Sequence, residues 1–328
     1  METPTNKKVT VIGGGTGTFV VLSGLKKYPI DLAAIVTMMD SGGSTGRLRD
    51  QLGVLPPGDL RQCLVALSEA SDLWRRLFLY RFESGDLEGH NFGNIFLSAL
   101  EKVTNDYNEV VATASYVLQT KGKVIPVTFE KSHLCVEYES GAIVKGEGKI
   151  DENKAETSRI KRAYLEPEGV PCEEALERVM ESDVIVIGPG DLYTSIIPVL
   201  LVKGMKESLK QSKAKIIYVM NLTTKSGQTT NYTANDHLVD LTQYLGKVPD
   251  IVVVNSGEVP ADMRAWYEKY GEHLVQNDLR ESNFQGKLVE ADVVDRNKFT
   301  AQKADTLTRS MLRHDSEKLT ISLFDLLN

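Results

Sequence analysis

The sequence predicts an α/β protein built on a doubly wound, mainly parallel sheet with a small inserted antiparallel β subdomain, and three observations carry that expectation. Short β-branched runs recur along the chain, each ending in glycine or asparagine before a stretch of helical period, as strands joined by crossover helices do. These runs are continuously apolar, which fits strands covered on both faces. Residues 122–166 break the rhythm with alternating patterns and a glycine turn.

Taken in order, Lys8-Val9-Thr10-Val11-Ile12 is the first strand, Gly13-Gly14-Gly15-Thr16-Gly17-Thr18 a glycine turn, and Phe19, Val20, Leu22, Ser23 and Leu25 a helix. Residues 32–38 form a second apolar run that ends in Asp40-Ser41-Gly42-Gly43-Ser44-Thr45-Gly46-Arg47. Residues 56–119 read as helical. Leu60, Cys63, Leu64 and Leu67 keep helix spacing behind Asp59, which suits an N-cap. Residues 74–82 are amphipathic, Phe92-Gly93-Asn94 leads into Ile95, Phe96, Ala99 and Leu100, and residues 106–119 complete the group. Within the insertion, residues 124–129, 134–138 and 143–145 read as strands, Glu139-Ser140-Gly141 as a hairpin turn, and residues 148–158 as a flexible polar loop. A helix near residues 173–181 precedes a buried strand at 183–187, which ends in Gly188-Pro189-Gly190-Asp191. Strands at 216–220 and 251–254 end in Asn221 and Asn255. A strand at 288–293 and helices after Ala304 and Ser316 close the chain. The expected organisation is an α/β half with a helical segment (1–121), a β-rich insertion (122–166), and a second α/β half with C-terminal helices (167–328).

With 328 residues, 41% of them hydrophobic, the chain can bury a substantial core in one large or two modest domains. Cys63, Cys135 and Cys172 lie far apart with no C-x-x-C spacing, so they read as buried thiols and not as a disulfide framework or zinc knuckle. No run approaches the roughly 18 apolar residues of a membrane span, and no long apolar segment follows residues 1–8. A cytoplasmic protein is expected. A net charge of −7 argues against a general nucleic-acid binder, whose affinity comes from surplus Lys and Arg. A small basic pocket for one diphosphate is compatible with it.

In open α/β sheets the ligand crevice lies at the carboxyl ends of the strands. That rule gathers the four most punctuated loops. The first, Gly13 to Thr18, offers glycines for close backbone approach, helix-start amides for an anion, and the hydroxyls of Thr16 and Thr18. It is neither G-x-G-x-x-G nor a Walker loop, and a tight turn without ligand is the alternative. In the second, Asp40 suits a ribose hydroxyl or a divalent metal, Ser44 and Thr45 offer hydroxyls, and Arg47 and Arg49 offer charge for phosphate or a solvated face. Gly188-Pro189-Gly190-Asp191-Leu192-Tyr193-Thr194-Ser195 is another strand, turn and helix start, with Asp191 and Ser195 its polar candidates. Asn221 is polar where packing favours an apolar residue. His90-Asn91-Phe92-Gly93-Asn94 places an imidazole and two amides before an apolar helix; His90 and Asp40 are the catalytic candidates, although a lone histidine serves a structural role as readily.

These residues resemble the gluconeogenesis factor family of YvcK type, related to 2-phospho-L-lactate transferase, the CofD group. The resemblance rests on Gly13-Gly14-Gly15-Thr16-Gly17; on Ser41-Gly42-Gly43-Ser44-Thr45-Gly46-Arg47-Leu48-Arg49 with Pro56-Pro57-Gly58-Asp59-Leu60-Arg61; on Gly89-His90-Asn91-Phe92-Gly93-Asn94; on Gly188 to Ser195; and on Arg313-His314-Asp315. It implies a Rossmann-like fold and a nucleotide-sugar ligand of the UDP-N-acetylglucosamine type. The implied protein supports cell shape and growth on gluconeogenic carbon. Residues 1–121 would then be the nucleotide-binding half, with the glycine loops and Arg47 on the diphosphate and Arg313 reaching the ligand. The transferase relatives imply phospholactyl transfer with a divalent metal such as Mg2+. One departure bears on that: the family has two adjacent aspartates before the glycine pair, whereas here Asp40 precedes Ser41, and a hydroxyl poorly replaces a hard anionic ligand.

The leading expectation is a regulator that binds a UDP-sugar or another nucleotide diphosphate and acts on protein partners. The alternatives are a metal-dependent phospholactate-type transferase and, third, an NAD(P)-binding oxidoreductase with Asp40 on the ribose. A homodimer is compatible with the fold class, although no apolar stripe argues for one.

Overall fold

The computed structural model describes residues 7–297 and 311–327. In chain order, β1 (Lys8–Gly13), α1 (Gly15–Leu25) and β2 (Asp31–Val36) open the molecule. Five helices follow: α2 (Gly43–Leu52), α3 (Gly58–Leu67), α4 (Asp72–Leu79), α5 (Phe92–Thr104) and α6 (Tyr107–Leu118). Next come β3 (Lys123–Pro126), β4 (His133–Tyr138), β5 (Ile143–Lys145), α7 (Glu147–Glu152), β6 (Ile160–Glu166) and α8 (Glu173–Glu181). After β7 (Val184–Ile187), a π-turn at Leu192–Ile196 runs into α9 (Ile197–Leu200) and α10 (Met205–Gln211). The remainder is β8 (Lys215–Val219), α11 (Ala234–Leu245), β9 (Ile251–Asn255), α12 (Ala261–Glu268), β10 (Lys287–Ala291), β11 (Val294–Asp295), β12 (Arg313–His314) and α13 (Ser316–Phe324).

Seven strands form one sheet in the order β10-β9-β8-β7-β1-β2-β3, and every neighbouring pair is parallel. Its middle is apolar on both faces because helices cover both: Val9, Val11 and Ile12 of β1 and Ile185, Val186 and Ile187 of β7 are completely buried. The chain builds outward from β1 through β2 to β3, then returns to the other side of β1 and builds outward again from β7 to β10. The direction reverses between β1 and β7, so the helices that follow those strands leave to opposite faces and the strand ends open into a crevice. A doubly wound α/β fold is what the apolar runs predicted.

Three details differ from the sequence reading. Residues 124–129 do not belong to the antiparallel insertion; Lys123–Pro126 is the edge strand of the main sheet, where a proline is tolerated because one side of the ladder is unpaired. The insertion is the sheet β5-β4-β6, and its third strand, Ile160–Glu166, is charge-rich because only one face is covered. The polar stretch read as a flexible loop contains α7, whose Ile150 is completely buried. The helix expected after Ala304 lies outside the described residues. No helix among those described is long and apolar enough to cross a membrane.

Two ties fix the layers on the sheet. Buried Arg178 of α8 donates to Thr10 Oγ1 (2.9 Å), to the Asp31 carboxylate (3.1 Å) and to the Val9 carbonyl (3.3 Å), so one guanidinium holds the starts of β1 and β2 together. Helix α13, capped by Asp315, lies against α1, with Ser316 Oγ donating to the Val20 carbonyl at 2.8 Å. Gly24 lets the two helices approach: a Cβ there would stand 1.7 Å from Thr320 Oγ1 and 2.9 Å from the Ser316 carbonyl. Glycine to alanine normally stabilises a helix interior by about 1 kcal/mol. Here Gly24→Ala is expected to lower stability by about 1–3 kcal/mol through overpacking, read as a lower urea midpoint with unchanged slope.

Candidate functional site

At the carboxyl ends of β1, β2, β7 and β8 lies a cavity of about 230 Å3. The turn after β1 contributes Gly14, Gly15, Thr16 and Gly17; the segment beyond β2 contributes Asp40; the turn after β7 contributes Pro189, Gly190, Asp191 and Ser195; and Asn221 follows β8. Arg313 arrives from β12, which pairs with β11 far along the chain. The sequence reading named all of these. Gln62 of α3, Glu147 and Asp151 of α7, and Lys225 line the same cavity without having been singled out, and so do Asp59, expected only as a helix cap, and His314, given no role of its own.

The glycine turn is shaped by two close approaches. A Cβ on Gly17 would lie 2.0 Å from the Pro189 carbonyl oxygen, so only glycine lets the turns after β1 and β7 meet. A Cβ on Gly14 would lie 2.5 Å from Asp59 Oδ2, and Gly15, at φ +66°, donates its amide to Asp59 Oδ1 at 2.7 Å. Asp59 was expected to cap its own helix; the cap position is Pro57, and the carboxylate serves the amino end of α1 instead. The dipole of α1 attracts an anion there, and the protein supplies one of its own. Thr18 Oγ1 donates to the Gly14 carbonyl (3.2 Å) and, like Gly13 and Gly188, does not line the cavity.

The second loop divides between two tasks. Asp40 accepts from the Gly42 amide at 2.9 Å and faces the cavity. Ser41 accepts from the Gly148 amide with its hydroxyl (2.8 Å), and its own amide donates to Glu147 Oε2 (3.1 Å), so it fastens α7 to the rim. Ser41, Gly42, Gly43, Ser44, Arg47, His90, Asn91 and Asn94 are not among the lining residues. They join α2 to α5. Ser44 Oγ contacts His90 Nδ1 (3.2 Å) and accepts from the Asn91 amide (3.2 Å), while Asn94 accepts from buried Arg61 Nε at 2.7 Å. Asn91 caps α5 through the Asn94 amide, and Arg47 donates to the Glu88 carbonyl at 2.8 Å. Burial, reinforced by the charges of Arg47 and Arg81, holds His90 below the usual histidine pKa, so it is neutral near pH 7.

Five carboxylates, those of Asp40, Asp59, Glu147, Asp151 and Asp191, face the cavity. Burial first, then the nearby Asp40 charge, pushes Glu147 well above the usual carboxylate range. Burial also raises Asp191, against the pull of Lys225. The Lys225 ammonium stands 2.9 Å from Asp151 Oδ1 and 3.5 Å from Asp191 Oδ2; burial alone would lower its pKa, but the charges of Asp191 and Asp151 raise it further. His314, buried and bonded to the Met220 carbonyl at 3.2 Å, is pushed down to about 4 by desolvation. Asn221 Oδ1 is buried and has no hydrogen-bond partner among the described residues, which leaves an acceptor for a ligand donor.

The signal for the missed residues was weak. Helix α7 is one and a half turns with a single buried apolar residue, too short for a period, and Asp59 carried a helix-start reading that fitted locally. Lys225 follows a strand end in a polar run, and the carboxyl-end rule applied to that loop would have reached it.

Two pH effects follow. A carboxyl raised in the folded state favours folding below its unfolded pKa, and this advantage is lost as pH rises through the folded value. Glu147→Gln, which keeps an acceptor for the Ser41 amide, is therefore expected to be more stable than the wild type at pH 7, with the gap closing below about pH 4.5, in paired urea titrations. A histidine lowered from 6.5 to about 4 destabilises as pH falls through that window. His314→Gln should spare the protein up to about 3 kcal/mol of acid loss between those pH values, measured as the wild-type minus variant difference.

Comparison with known proteins agrees with this architecture. The family of 2-phospho-L-lactate transferase CofD matches residues 9–294. A gluconeogenesis factor of Bacillus subtilis is 41% identical over 323 residues, covering 98% of this chain and 98% of its own. A putative gluconeogenesis factor of Thermoanaerobacterium thermosulfurigenes is also 41% identical, over 98% of this chain and 97% of its own. The crystal structure of a member of the UPF0052 family from Bacillus halodurans superposes with a TM-score of 0.87 at 39% identity, over 96% of this chain and 99% of that one. With the parallel sheet, the cavity at its reversal and these full-length matches in hand, the chain belongs to the CofD family and stands within it beside the gluconeogenesis factors.

Proposed function

We propose that the protein is a cytoplasmic regulator that binds a nucleotide-sugar diphosphate of the UDP-N-acetylglucosamine type and, through protein partners, supports cell shape on gluconeogenic carbon. One observation carries the binding part: the cavity sits where the strand order reverses, with two glycine turns in its wall and Arg313 brought in from the C-terminal strand pair. Unpartnered Asn221 Oδ1 suits an N–H or hydroxyl of such a ligand. The regulatory part follows from the kinship with gluconeogenesis factors.

The carboxylates look adverse to a diphosphate, but Asp59 already accepts from the Gly15 amide, and Asp151 and Asp191 share the Lys225 ammonium. Mg2+ commonly binds through one or two carboxylates together with substrate phosphates, so it needs no protein cage. Among the described residues no group of three or more His, Cys, Asp or Glu is arranged to hold a metal. Asp40, which faces the cavity, would be the ligand for an ion arriving with the diphosphate, and the ion would supply the missing positive charge.

The second reading, metal-dependent phospholactyl-type transfer, is favoured by the family match. Against it, Asp40 is followed by Ser41 and not by a second carboxylate, and the Ser41 hydroxyl is engaged with the Gly148 amide. A thermal-shift panel of UDP-sugars, GDP, NAD and NADP separates the readings when paired with an assay for released nucleoside monophosphate. UDP-N-acetylglucosamine at a hundredfold over its Kd should stabilise the protein by about 2.7 kcal/mol without turnover, and Arg313→Ala should abolish that gain. Stabilisation by NAD or NADP alone, or monophosphate release with a GDP-linked donor and Mg2+, would count against the regulator.

A further inference from the structure

Lys225 stands where the loop after β8 meets α7. Its backbone is fixed: the amide donates to Thr229 Oγ1 at 2.9 Å, and the carbonyl accepts from the Gln228 and Thr229 amides at 3.1 and 2.8 Å. The side chain spans the cavity wall, with Asp151 of α7 on one side and Asp191 of the turn after β7 on the other. Among the described residues, it and Arg313 are the Lys and Arg of the lining.

Helix α7 has little of its own to hold it. It is six residues long, and a helix so short is not stable without tertiary contacts. Ile150 supplies its buried apolar anchor. Its polar ties are the two bonds with Ser41, the bond from Gln228 Nε2 to Asp151 Oδ1 (3.2 Å), and the Asp151–Lys225 pair. The strongest charge holding α7 in place is thus the same charge that an anionic ligand in this cavity would seek.

We propose that Lys225 is a phosphate ligand of the crevice and that a bound diphosphate takes the place of Asp151 at its ammonium, releasing the C-terminal end of α7. This rests on reading the cavity as a nucleotide-diphosphate site. A phosphate group brings more charge and more acceptor oxygens than a carboxylate, and lysine meets it as a point charge on a flexible stem, without bidentate geometry. Asp191, on the far side of the ammonium, keeps Lys225 in the wall during the exchange. Occupancy of the cavity thereby becomes a change on the rim, where α7 joins the antiparallel insertion and exposes Lys149 and Glu152.

The test uses the full chain and two probes, UDP-N-acetylglucosamine and inorganic pyrophosphate, titrated calorimetrically into wild type, Asp151→Asn and Lys225→Met, with hydrogen exchange read at residues 147–152. Asp151→Asn removes the competing carboxylate and should bind UDP-N-acetylglucosamine several-fold to about tenfold more tightly, a sign that a merely structural pair does not produce. Lys225→Met should bind both probes at least tenfold more weakly. In wild type the α7 amides should exchange faster with ligand than without it, and in Asp151→Asn they should be fast in both states. Equal or weaker binding by Asp151→Asn, or α7 amides slowed by ligand, overturns the proposal while leaving the UDP-sugar reading intact. Wild type that binds neither probe overturns both. If Lys225→Met does not fold, Asp151→Asn and the exchange data decide alone.

Discussion

The approach of the turn after β1 to the turn after β7, with Gly17 set against the Pro189 carbonyl, is the constraint on which the rest of the site depends. The sheet reverses its winding at that point, so the helices that follow the two strands leave to opposite faces and the strand ends stand open between them. Any side chain at residue 17 would hold the turns apart, and the cavity, its amide rim and the placement of Ser195 would all shift together. Three further walls are fitted to that gap: α3 through Asp59, α7 through Ser41, and the C-terminal strand pair through Arg313.

An unusual feature of the crevice is how many of its anions belong to the protein. Asp59 occupies the first amide of α1, the position that a phosphate would otherwise claim, and Asp151 with Asp191 shares the ammonium of Lys225. Internal carboxylates used in this way keep the cationic groups and helix ends oriented in the absence of ligand, at the expense of competing with it. Such competition suits a protein whose ligand must come and go, because the alternative partner holds the open state together. The Asp40 charge and burial together favour the protonated form of Glu147 in the same wall, which eases repulsion between the two.

The polar residues of the second loop and of the His90 segment show how a motif divides between binding and support. Ser44, Asn91 and Asn94 bond to one another and to Arg61 and set where α2 starts, which in turn sets where Asp40 points. Arg47 turns to the Glu88 carbonyl, and Ser41 is spent on α7. Ser41, next to Asp40, is thus part of the rim that holds α7 and bears on the shape of the site.

Much of this molecule was legible in the amino-acid order. Continuous, β-branched apolar runs such as 184–187, followed by glycine and proline, fit strands with both faces covered, so the parallel sheet was expected from residue types, and the carboxyl-end rule then brought Gly14 to Gly17, Asp40, Gly190, Asp191 and Asn221 to one place. Local order could not decide which strand residues 123–126 would pair with, because a half-apolar run fits an edge of either sheet. Nor could it decide where the charges of Asp59, Glu147, Asp151 and Lys225 would go, since each is ordinary in its own segment and acquires its meaning from a partner 34 to 106 residues away. Strand identity is a short-range property of side-chain pattern; electrostatic pairing depends on distances that only the folded chain defines, and the charge state of this crevice was decided there.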